Sequence, residues 1–466
     1  MKLRLYQKKA VEAGVNFMKS DEQTGAIIVI PTGGGKSLVI ASIAKELEGN
    51  ILVLQPSKEI LEQNVAKAKL FGIENIAIFS ASMNEKNIDK LTFATIGSII
   101  NKKELFSHFD YLIIDELHYV NAKGGMYEKF IKYFGNKVLG LTASPYRIHN
   151  YTDMFTDMRS VVAKFVHRTR PRIFTKIIHI TQLQELYKDG FLCPIKYRTN
   201  QNYDVKKIKL NSTGMDYDKK SLLAYHEKQN IVGIATELVR KGKARHILVF
   251  TTTVEEARLI SKNLSNIGVW SATVSAKTKK KDREDILLKF KQGKIKVVCN
   301  VGTLTTGFDF PELDCIIMAR PTQSVSLFFQ MLGRGIRPAK NKPYCEVIDL
   351  CGNISKFGYI ETFEIKEDKP GMHRLYSNVG PLTGFDFISY TDLELTGYKG
   401  KKESKWQKQV GGVVPFGKHK GLHITKVPTG YLQWAVEAIQ GSTGELFKKE
   451  LIRRYNNKKQ NEKAPF

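Results

Sequence analysis

Short apolar, mostly β-branched runs alternate with amphipathic stretches of about 12 residues through residues 24–145, and the pattern returns after residue 240. The runs that read as strands lie at 26–30, 51–54, 76–79, 111–114 and 138–141, then at 246–250, 269–274, 297–300, 315–319 and 345–350. Parallel strands need a long crossover between them, which is usually a helix. The pattern therefore predicts an α/β chain with two parallel sheets in tandem, each covered by helices on both faces.

The composition narrows the classes of partner. The 466 residues include 73 Lys or Arg and 46 Asp or Glu, so the formal charge is +27. A charge of this size favours a polyanion such as DNA, RNA or an anionic membrane surface, without indicating a reaction. The chain starts without the apolar core of a signal peptide, and its longest apolar runs are too short to cross a bilayer, so a cytoplasmic location is expected.

The cysteines argue against a disulfide framework and against a zinc site. They are odd in number and contain no Cys-x-x-Cys pair. We expect buried free thiols at Cys193, Cys299, Cys315, Cys345 and Cys351.

The chain is expected to divide into four regions. Two α/β domains occupy 1–150 and 241–390, and the less regular stretch 151–240 reads as a connector that contains a helix at 182–188. The last region, 391–466, is the most basic, with 15 Lys or Arg and 7 Asp or Glu, a net charge of +8. We interpret it as a basic linker followed by a small accessory module.

The C-terminal region is a candidate auxiliary contact for the polyanion. Its segment 399–408 carries five lysines and reads as an exposed linker. Tyr431 and Trp434 follow at helical spacing, so they fit either the core of the module or stacking on nucleobases.

A glycine-rich loop connects the first predicted strand to a helix-forming run. Backbone N–H groups of such a loop can surround phosphate oxygens, while a lysine reaches the β- and γ-phosphates and a hydroxyl binds Mg²⁺. Ile30 stands where the general pattern has its first glycine. The sequence therefore predicts ATP and Mg²⁺ as cofactors, with Ser37 as a metal ligand, in a loop made of Pro31, Thr32, Gly33, Gly34, Gly35, Lys36 and Ser37.

Two adjacent carboxylates follow the strand predicted at 111–114. In α/β proteins the carboxyl ends of the strands are where ligands bind. We expect Asp115 to hold Mg²⁺ and Glu116 to orient and deprotonate an attacking water molecule.

A third constellation lies in the second domain. Gln330, Arg334 and Arg337 are spaced i, i+4 and i+7, which predicts one face of a helix with both guanidinium groups directed across a cleft at a γ-phosphate. Gly333 and Gly335 favour this function over a solvated helix, in which each glycine would cost about 1 kcal/mol.

In this order the motifs resemble those of the superfamily 2 helicases over residues 3–355. The resemblance implies two RecA-like domains that bind ATP between them. It implies adenine recognition by Arg4, Tyr6 and Gln7, further nucleotide contacts from Gly307 and Asp309, and coupling of hydrolysis to domain movement through His118, Thr142 and Ser144.

Polar residues at the ends of several strands predict a nucleic-acid track. Hydroxyl groups hold phosphates without reading bases, as a translocating motor requires. By resemblance these residues belong to family motifs that line one strand across both domains, and they are Gln55, Pro56, Ser57, Thr95, Ser98, Thr251, Thr252, Thr305 and Thr306. The basic run 277–283 is either a DNA contact or a solvated helix start.

The resemblance extends to RadD-like bacterial helicases and to compact phage helicases of the branch-migration type, because Asp349, Gly352 and Asn353 match their Asp-x-x-Gly-Asn pattern. It implies a monomeric ATP-dependent helicase or translocase that acts on forked or junction DNA in replication, recombination or repair, in a bacterial or phage-infected cytosol. The motif Asp-Glu-Leu-His favours DNA over RNA. A duplex translocase without strand separation, an RNA helicase and a non-catalytic nucleic-acid-binding protein stay open as alternatives.

Overall fold

The computed structural model describes residues 3–135, 137–152, 159–305 and 308–384, and, in the C-terminal part, 414, 419, 422–438, 444 and 447–454. The chain divides into two units. The larger comprises Met1–Asn150 and Val161–Gly384, and the smaller comprises Tyr151–Ser160 and Phe385–Phe466. The lysine-rich segment 399–408 lies outside the described residues.

Strands and helices alternate through most of the described chain, as the sequence pattern predicted. The strands are β1 (Gly25–Val29), β2 (Ile51–Gln55), β3 (Ala77–Ser80), β4 (Glu85–Lys86), β5 (Leu91–Thr95), β6 (Tyr111–Asp115), β7 (Val138–Thr142), β8 (Tyr146–Thr152), β9 (Arg159–Phe165), β10 (Phe174–Ile180), β11 (Ile195–Thr199), β12 (Ile247–Thr251), β13 (Ser271–Ser275), β14 (Val297–Val301), β15 (Cys315–Ala319), β16 (Cys345–Asp349), β17 (Glu364–Lys369), β18 (Met372–Ser377) and β19 (Gly380–Pro381). Each of the ten predicted runs overlaps one of these strands.

The helices cover both faces of the sheets. They are α1 (Leu5–Lys19), α2 (Lys36–Glu46), α3 (Lys58–Leu70), α4 (Ile96–Ile99), α5 (Met126–Phe134), α6 (Leu183–Lys188), α7 (Lys219–Lys228), α8 (Ile231–Lys241), α9 (Val254–Asn266), α10 (Lys280–Lys291), α11 (Val325–Leu332), α12 (Asn353–Phe357) and α13 (Thr429–Ala438).

The first sheet has eight strands in the order β10-β1-β7-β6-β2-β5-β3-β4, and only the β3–β4 pair is antiparallel. Successive residues of a strand face opposite sides of the sheet. Ile28 and Ile30 accordingly pack under α1, α2 and α3, whereas Ile27 and Val29 pack under α4 and α5. This double burial explains why the strands are continuous apolar runs.

The second sheet has six parallel strands in the order β11-β16-β15-β12-β14-β13. Helices α7, α8 and α9 supply the core on one face, and α10, α11 and α12 supply the core on the other. The larger unit therefore contains two RecA-like α/β domains in tandem. All five cysteines are buried free thiols, as predicted.

The stretch 151–240, expected as a connector, also supplies an outer strand to each sheet. β10 lies beside β1 in the first sheet, and β11 lies beside β16 in the second. The predicted helix of this stretch is α6, which is followed by Gly190 at φ +68°. Two smaller sheets accompany the large ones: β8 pairs with β9, and β17, β18 and β19 form an antiparallel sheet.

In the smaller unit, the described residues include a buried apolar cluster. Val414, Ile424, Leu432 and Phe447 belong to it, and Tyr431 packs against it half-buried. This packing supports the core interpretation of Tyr431, while the side chain of Trp434 lies outside the described residues. No helix among the described residues is long and apolar enough to cross a membrane.

Gly140 of β7 tests how tightly the first domain is packed. A Cβ atom at Gly140 would lie 2.7 Å from Leu117 Cδ2 and 2.8 Å from Phe174 Cε1, and both side chains are fully buried. We expect Gly140→Ala to lower the free energy of unfolding by about 1–3 kcal/mol, because overpacking strains a filled core. Urea titration of the first domain's transition measures this change.

Gly97→Ala is the matched control. Gly97 lies exposed in α4, and a Cβ atom there would meet nothing within 4 Å. Alanine favours a helix over glycine by up to about 1 kcal/mol, so this variant should match or exceed the stability of the parent protein. Equal losses in both variants would contradict the packing argument.

Candidate nucleotide site and nucleic-acid track

The glycine-rich loop lies between the end of β1 and the start of α2, as expected. Gly33 and Gly35 have φ angles of +85° and +83°, a conformation that glycine adopts without strain. The N–H of Gly34 donates to the carbonyl oxygen of Pro31 at 2.9 Å. Ile30 is fully buried, and a Cβ atom at Gly34 would lie 2.7 Å from Ile30 Cγ2. The isoleucine thus packs beneath the loop and requires a glycine above it.

Residues of the predicted adenine motif hold the loop from α1. Gln7 Nε2 donates to the carbonyl oxygen of Gly34 at 3.0 Å, and Tyr6 Oη donates to the same oxygen at 2.9 Å. The guanidinium of Arg4 lies 3.7 Å from the ring centroid of Phe191. Phe191 belongs to no motif recognised in the sequence, but its aromatic ring lies beside the residues predicted to recognise adenine.

The predicted catalytic acids, Asp115 and Glu116, lie beside the glycine-rich loop, and Asn64, which was not predicted, contacts the same site. Lys36 Nζ forms an ion pair with Glu116 Oε1. Asn64 of α3 donates from Nδ2 to Asp115 Oδ2 at 2.8 Å, and its Oδ1 accepts a hydrogen bond from Ser37 Oγ. Asn64 therefore bridges the two predicted Mg²⁺ ligands. A hydroxyl and a carboxylate are oxygen donors of the kind that Mg²⁺ prefers, so the residues fit this metal.

The two acids differ in electrostatic state. Burial raises the pKa of Asp115 above its usual range, although the charge of Lys36 and the hydrogen bond from Asn64 oppose the shift. Burial acts in the same direction on Glu116, but the charge of Lys36 and the hydrogen bond with His118 outweigh it and hold the pKa of Glu116 well below its usual range. Glu116 is therefore ionised at neutral pH.

His118 links the predicted coupling residues. Its Nδ1 lies 2.9 Å from Thr142 Oγ1 and 3.2 Å from Glu116 Oε2. Its Nε2 lies 3.2 Å from Gln330 Nε2 of the second domain. The N–H of Ser144 donates to Thr142 Oγ1 at 3.1 Å. Because an amide nitrogen donates, the contact with Gln330 requires Nε2 of His118 to accept.

The prediction that Gln330, Arg334 and Arg337 share one helix face is wrong. α11 includes Gln330 but ends before Gly333, and the chain continues in turns. Gly333 and Gly335 disfavour a helix here, and close neighbours leave no room for a side chain at either position. A Cβ atom at Gly333 would lie 3.0 Å from Thr32 Cγ2, and one at Gly335 would lie 2.5 Å from Cys345 Sγ.

The two arginines nonetheless stay in the cleft. Arg334 Nη1 donates to the carbonyl oxygen of Phe308 at 2.6 Å, and Arg337 forms an ion pair with Asp309. Burial lowers the pKa of Arg334 and of Arg337 to about 10, which leaves both cationic at neutral pH. The predicted site residue Gly307 and the track residue Thr306 lie outside the described residues.

The predicted track is only partly accessible. Gln55, Thr251 and Thr305 are buried, so their side chains face the protein interior rather than a phosphate backbone. This corrects their predicted role as direct contacts. Gln55 and Thr251 are the last residues of β2 and β12, which are interior strands of their sheets, and Thr305 lies in the loop after β14. The accessible members are Pro56, Ser57, Thr95 and Ser98. Thr252 is half-buried, but its hydroxyl oxygen is buried.

The basic run 277–283 makes contacts within the protein. Arg283 pairs with Glu59 of the first domain at 3.9 Å, and Lys280 pairs with Glu284 at 3.7 Å. Neither predicted alternative described an ion pair between the two domains.

Two family models match the chain. The model described as "Type III restriction enzyme, res subunit" matches residues 1–147, and "Helicase conserved C-terminal domain" matches residues 230–339. The first match falls on the first sheet, and the second falls on the second sheet.

Individual proteins resemble the chain over most of its length. A 51.5 kDa protein of a Lactococcus phage (isolate 7-9) is 27% identical over 315 residues, which cover 67% of this chain and 62% of that protein. The DNA 3'-5' translocase XPB2 of Sulfurisphaera tokodaii is 26% identical over 364 residues, which cover 72% of this chain and 79% of that protein. The chain spans between 52% and 79% of the length of three curated relatives.

Among solved structures, the ATP-dependent type ISP restriction-modification enzyme LlaBIII bound to DNA superimposes with a TM-score of 0.53 and 18% identity. The match covers 75% of this chain and 27% of that one, and it supports the fold alone.

Because the two family models follow one another in the order of the observed motifs, and each falls on one RecA-like domain, the chain belongs to the superfamily 2 helicases.

Proposed function

We propose that the chain is an ATP-hydrolysing motor that moves along DNA and unwinds or branch-migrates forked or junction DNA. One observation carries the proposal: Lys36, Glu116, His118 and Gln330 form a continuous series of contacts from the phosphate loop of the first domain to the second domain. A nucleotide at the loop would be sensed by both domains. Its hydrolysis would therefore change what holds the domains together, which is the basis of movement.

The Lys36–Glu116 ion pair implies how the site would respond to ATP. Phosphate oxygens compete for a lysine ammonium, so Lys36 would exchange Glu116 for the nucleotide. Glu116, still held by His118, would then be free to accept a proton from water. Arg337 would likewise exchange its ion pair with Asp309 for one with the γ-phosphate. The arginine then stays paired with an anion throughout the exchange.

Ser37 and Asp115 would hold Mg²⁺, which neutralises phosphate charge when bound. Asn64 keeps these two side chains within hydrogen-bond distance of one amide, so they are close together before any metal arrives. The adenine would lie towards Arg4, Tyr6 and Phe191, where a cation and two aromatic rings meet.

DNA is the proposed polyanion. The charge of +27, the accessible hydroxyls of the track and the motif Asp-Glu-Leu-His support it. The name of the Sulfurisphaera relative, a DNA translocase, supports it further. The proposed assignments are ATP hydrolysis in 1–150, a connector in 151–240, a helicase domain in 241–390 and an auxiliary DNA contact in 391–466. We propose a monomeric motor in the cytosol, working in replication, recombination or repair.

A duplex translocase that separates no strands is the second candidate, and the name of the same relative favours it. Such a motor would use the same ATP site, so only the products on DNA can distinguish the two.

The ATP site predicts the behaviour of two variants. Lys36→Ala removes the phosphate-binding cation, and Glu116→Gln removes the proton acceptor while keeping its size. We expect each to lower DNA-stimulated phosphate release by at least about 100-fold, because a general base and a preorganised charge each contribute on this scale. Lys45→Ala, which removes an exposed lysine from the same helix, should behave as the parent. Near-normal turnover in either variant would contradict the assigned ATP site, whereas a parent protein that releases no phosphate would favour the non-catalytic alternative.

Strand separation is tested with two substrates of equal length. A forked duplex reports unwinding by release of a labelled strand, and a triplex reports duplex translocation by release of the third strand. We expect ATP-dependent release from the fork. Release from the triplex alone would select the duplex translocase, and the Glu116→Gln variant should release neither.

Asn64→Ala tests the arrangement of the metal ligands. It leaves the buried Asp115 and the half-buried Ser37 without their shared partner, so the free energy of unfolding should fall by about 1–3 kcal/mol without nucleotide. The deficit should shrink when Mg²⁺ and a non-hydrolysable ATP analogue are added, because both side chains then gain new partners. The exposed Asn87→Ala is the control. A deficit that is unchanged by Mg²⁺ and nucleotide would contradict the proposed ligands.

A further inference from the structure

The first domain contains a cavity of about 360 Å³ that the nucleotide site does not use. It opens between the ends of β2 and β5 and the segment that follows Glu116. Its volume is in the range of small-molecule sites, roughly 300–1,000 Å³. The lining is mainly apolar and includes Pro56, Ser57, Ile96, Tyr119, Met126 and Tyr127.

Two large side chains of the lining are exposed. Tyr119 has 44% of its surface accessible and Met126 has 48%. Gly124 and Gly125 lie beside them, and a Cβ atom at either would meet nothing within 4 Å. The cavity is therefore open beside the accessible ring of Tyr119, and a flat ligand could stack on that ring.

Tyr127 adds a buried polar group. The residue is 8% exposed, and its hydroxyl has no hydrogen-bond partner among the described residues. Buried hydroxyls usually have a partner, because an unpaired one is destabilising. Burial also raises the pKa of Tyr127, so the hydroxyl keeps its proton at neutral pH. Because the hydroxyl is itself inaccessible, Tyr127 contributes its ring rather than its hydroxyl to the wall of the cavity.

The cavity adjoins the accessible part of the proposed phosphate track. Ser57 lines it directly, and Ile96 of the lining lies between Thr95 and Ser98 in the chain. Ser57 Oγ accepts a hydrogen bond from the N–H of Ile60, which leaves its own proton available for a phosphate oxygen. A strand held at these hydroxyls would pass over the mouth with a base within reach of Tyr119.

Tyr119 also contacts the residue at the centre of the coupling series. Its ring centroid lies 4.5 Å from that of His118, and both residues belong to one short turn, Leu117–Tyr119. His118 contacts Glu116, Thr142 and Gln330. A change in the position of Tyr119 would therefore reach both the catalytic carboxylate and the second domain.

We propose that this cavity receives one unstacked nucleobase of the bound DNA strand, and that Tyr119 relays its presence to His118. The base stacks on Tyr119 over the apolar wall of the cavity. Stacking accepts any base, so the site suits a motor that does not read sequence. The inference rests on the proposed function, since it concerns the same DNA and the same ATP site.

The test compares single-stranded DNA with an oligonucleotide of equal length whose bases are all replaced by abasic sites. Both have the same phosphates, so fluorescence anisotropy titrations without ATP measure what the bases contribute. Removing a base–aromatic stack weakens binding roughly tenfold. We expect the parent to bind abasic DNA roughly tenfold more weakly, and Tyr119→Ala to bind both DNAs with nearly the same affinity.

Two further variants complete the comparison. Tyr127→Phe removes only the buried hydroxyl and keeps the ring that lines the cavity, so it should bind both DNAs as the parent does. Tyr133→Ala removes a tyrosine of similar exposure from α5, outside the cavity, and should show the parent's preference for bases. If Tyr119→Ala retains the full preference for bases, or the parent has none, the base site is wrong.

A second readout tests the relay and separates the two proposals. In the parent, normal DNA should stimulate phosphate release more than abasic DNA at saturating concentrations of each. Tyr119→Ala should respond equally to both. If the parent releases phosphate with neither DNA, the proposed function itself fails. If it responds equally to both DNAs while the binding preference for bases persists, only the relay fails.

Discussion

The ion pair between Lys36 and Glu116 is the interaction on which the site depends. The two residues are 80 positions apart, but the strand order β1-β7-β6 places their strand ends two strands from each other. Each side chain is largely removed from water, which would be costly for either charge alone. Each therefore needs the other until a phosphate arrives. The sheet order, the glycine loop and the left-handed conformation of Glu116, at φ +53°, all serve to bring these two charges together.

Much of the fold could be predicted because the inner strands are buried on both faces and therefore read as unbroken apolar runs. β5, β10 and β11 carried a weaker signal. Threonines interrupt β5, lysine and histidine interrupt β10, and β11 lies at an edge with most residues half-buried or exposed. Tertiary pairing rather than local pattern makes these segments strands.

The candidate site shows the same division. Lys36, Asp115 and His118 could be found because they stand in motifs with fixed local spacing. Asn64 and Phe191 could not, because their roles arise from a helix and a loop that only the folded chain brings to the cleft. The end of α11 at Leu332 could not be predicted either, because the spacing of Gln330, Arg334 and Arg337 indicates a helical period but not where the helix ends.

The glycines of the site are required for two different reasons, and this affects which changes the chain can accept. Gly33 has a backbone angle that side chains rarely adopt, so no single neighbour can compensate for its loss. Gly335 has no such angle, and its obstacles are the side chains of Cys345 and Ile316. A larger residue at position 335 therefore requires a smaller one at position 345, whereas a substitution at position 33 is strained whatever side chains surround it.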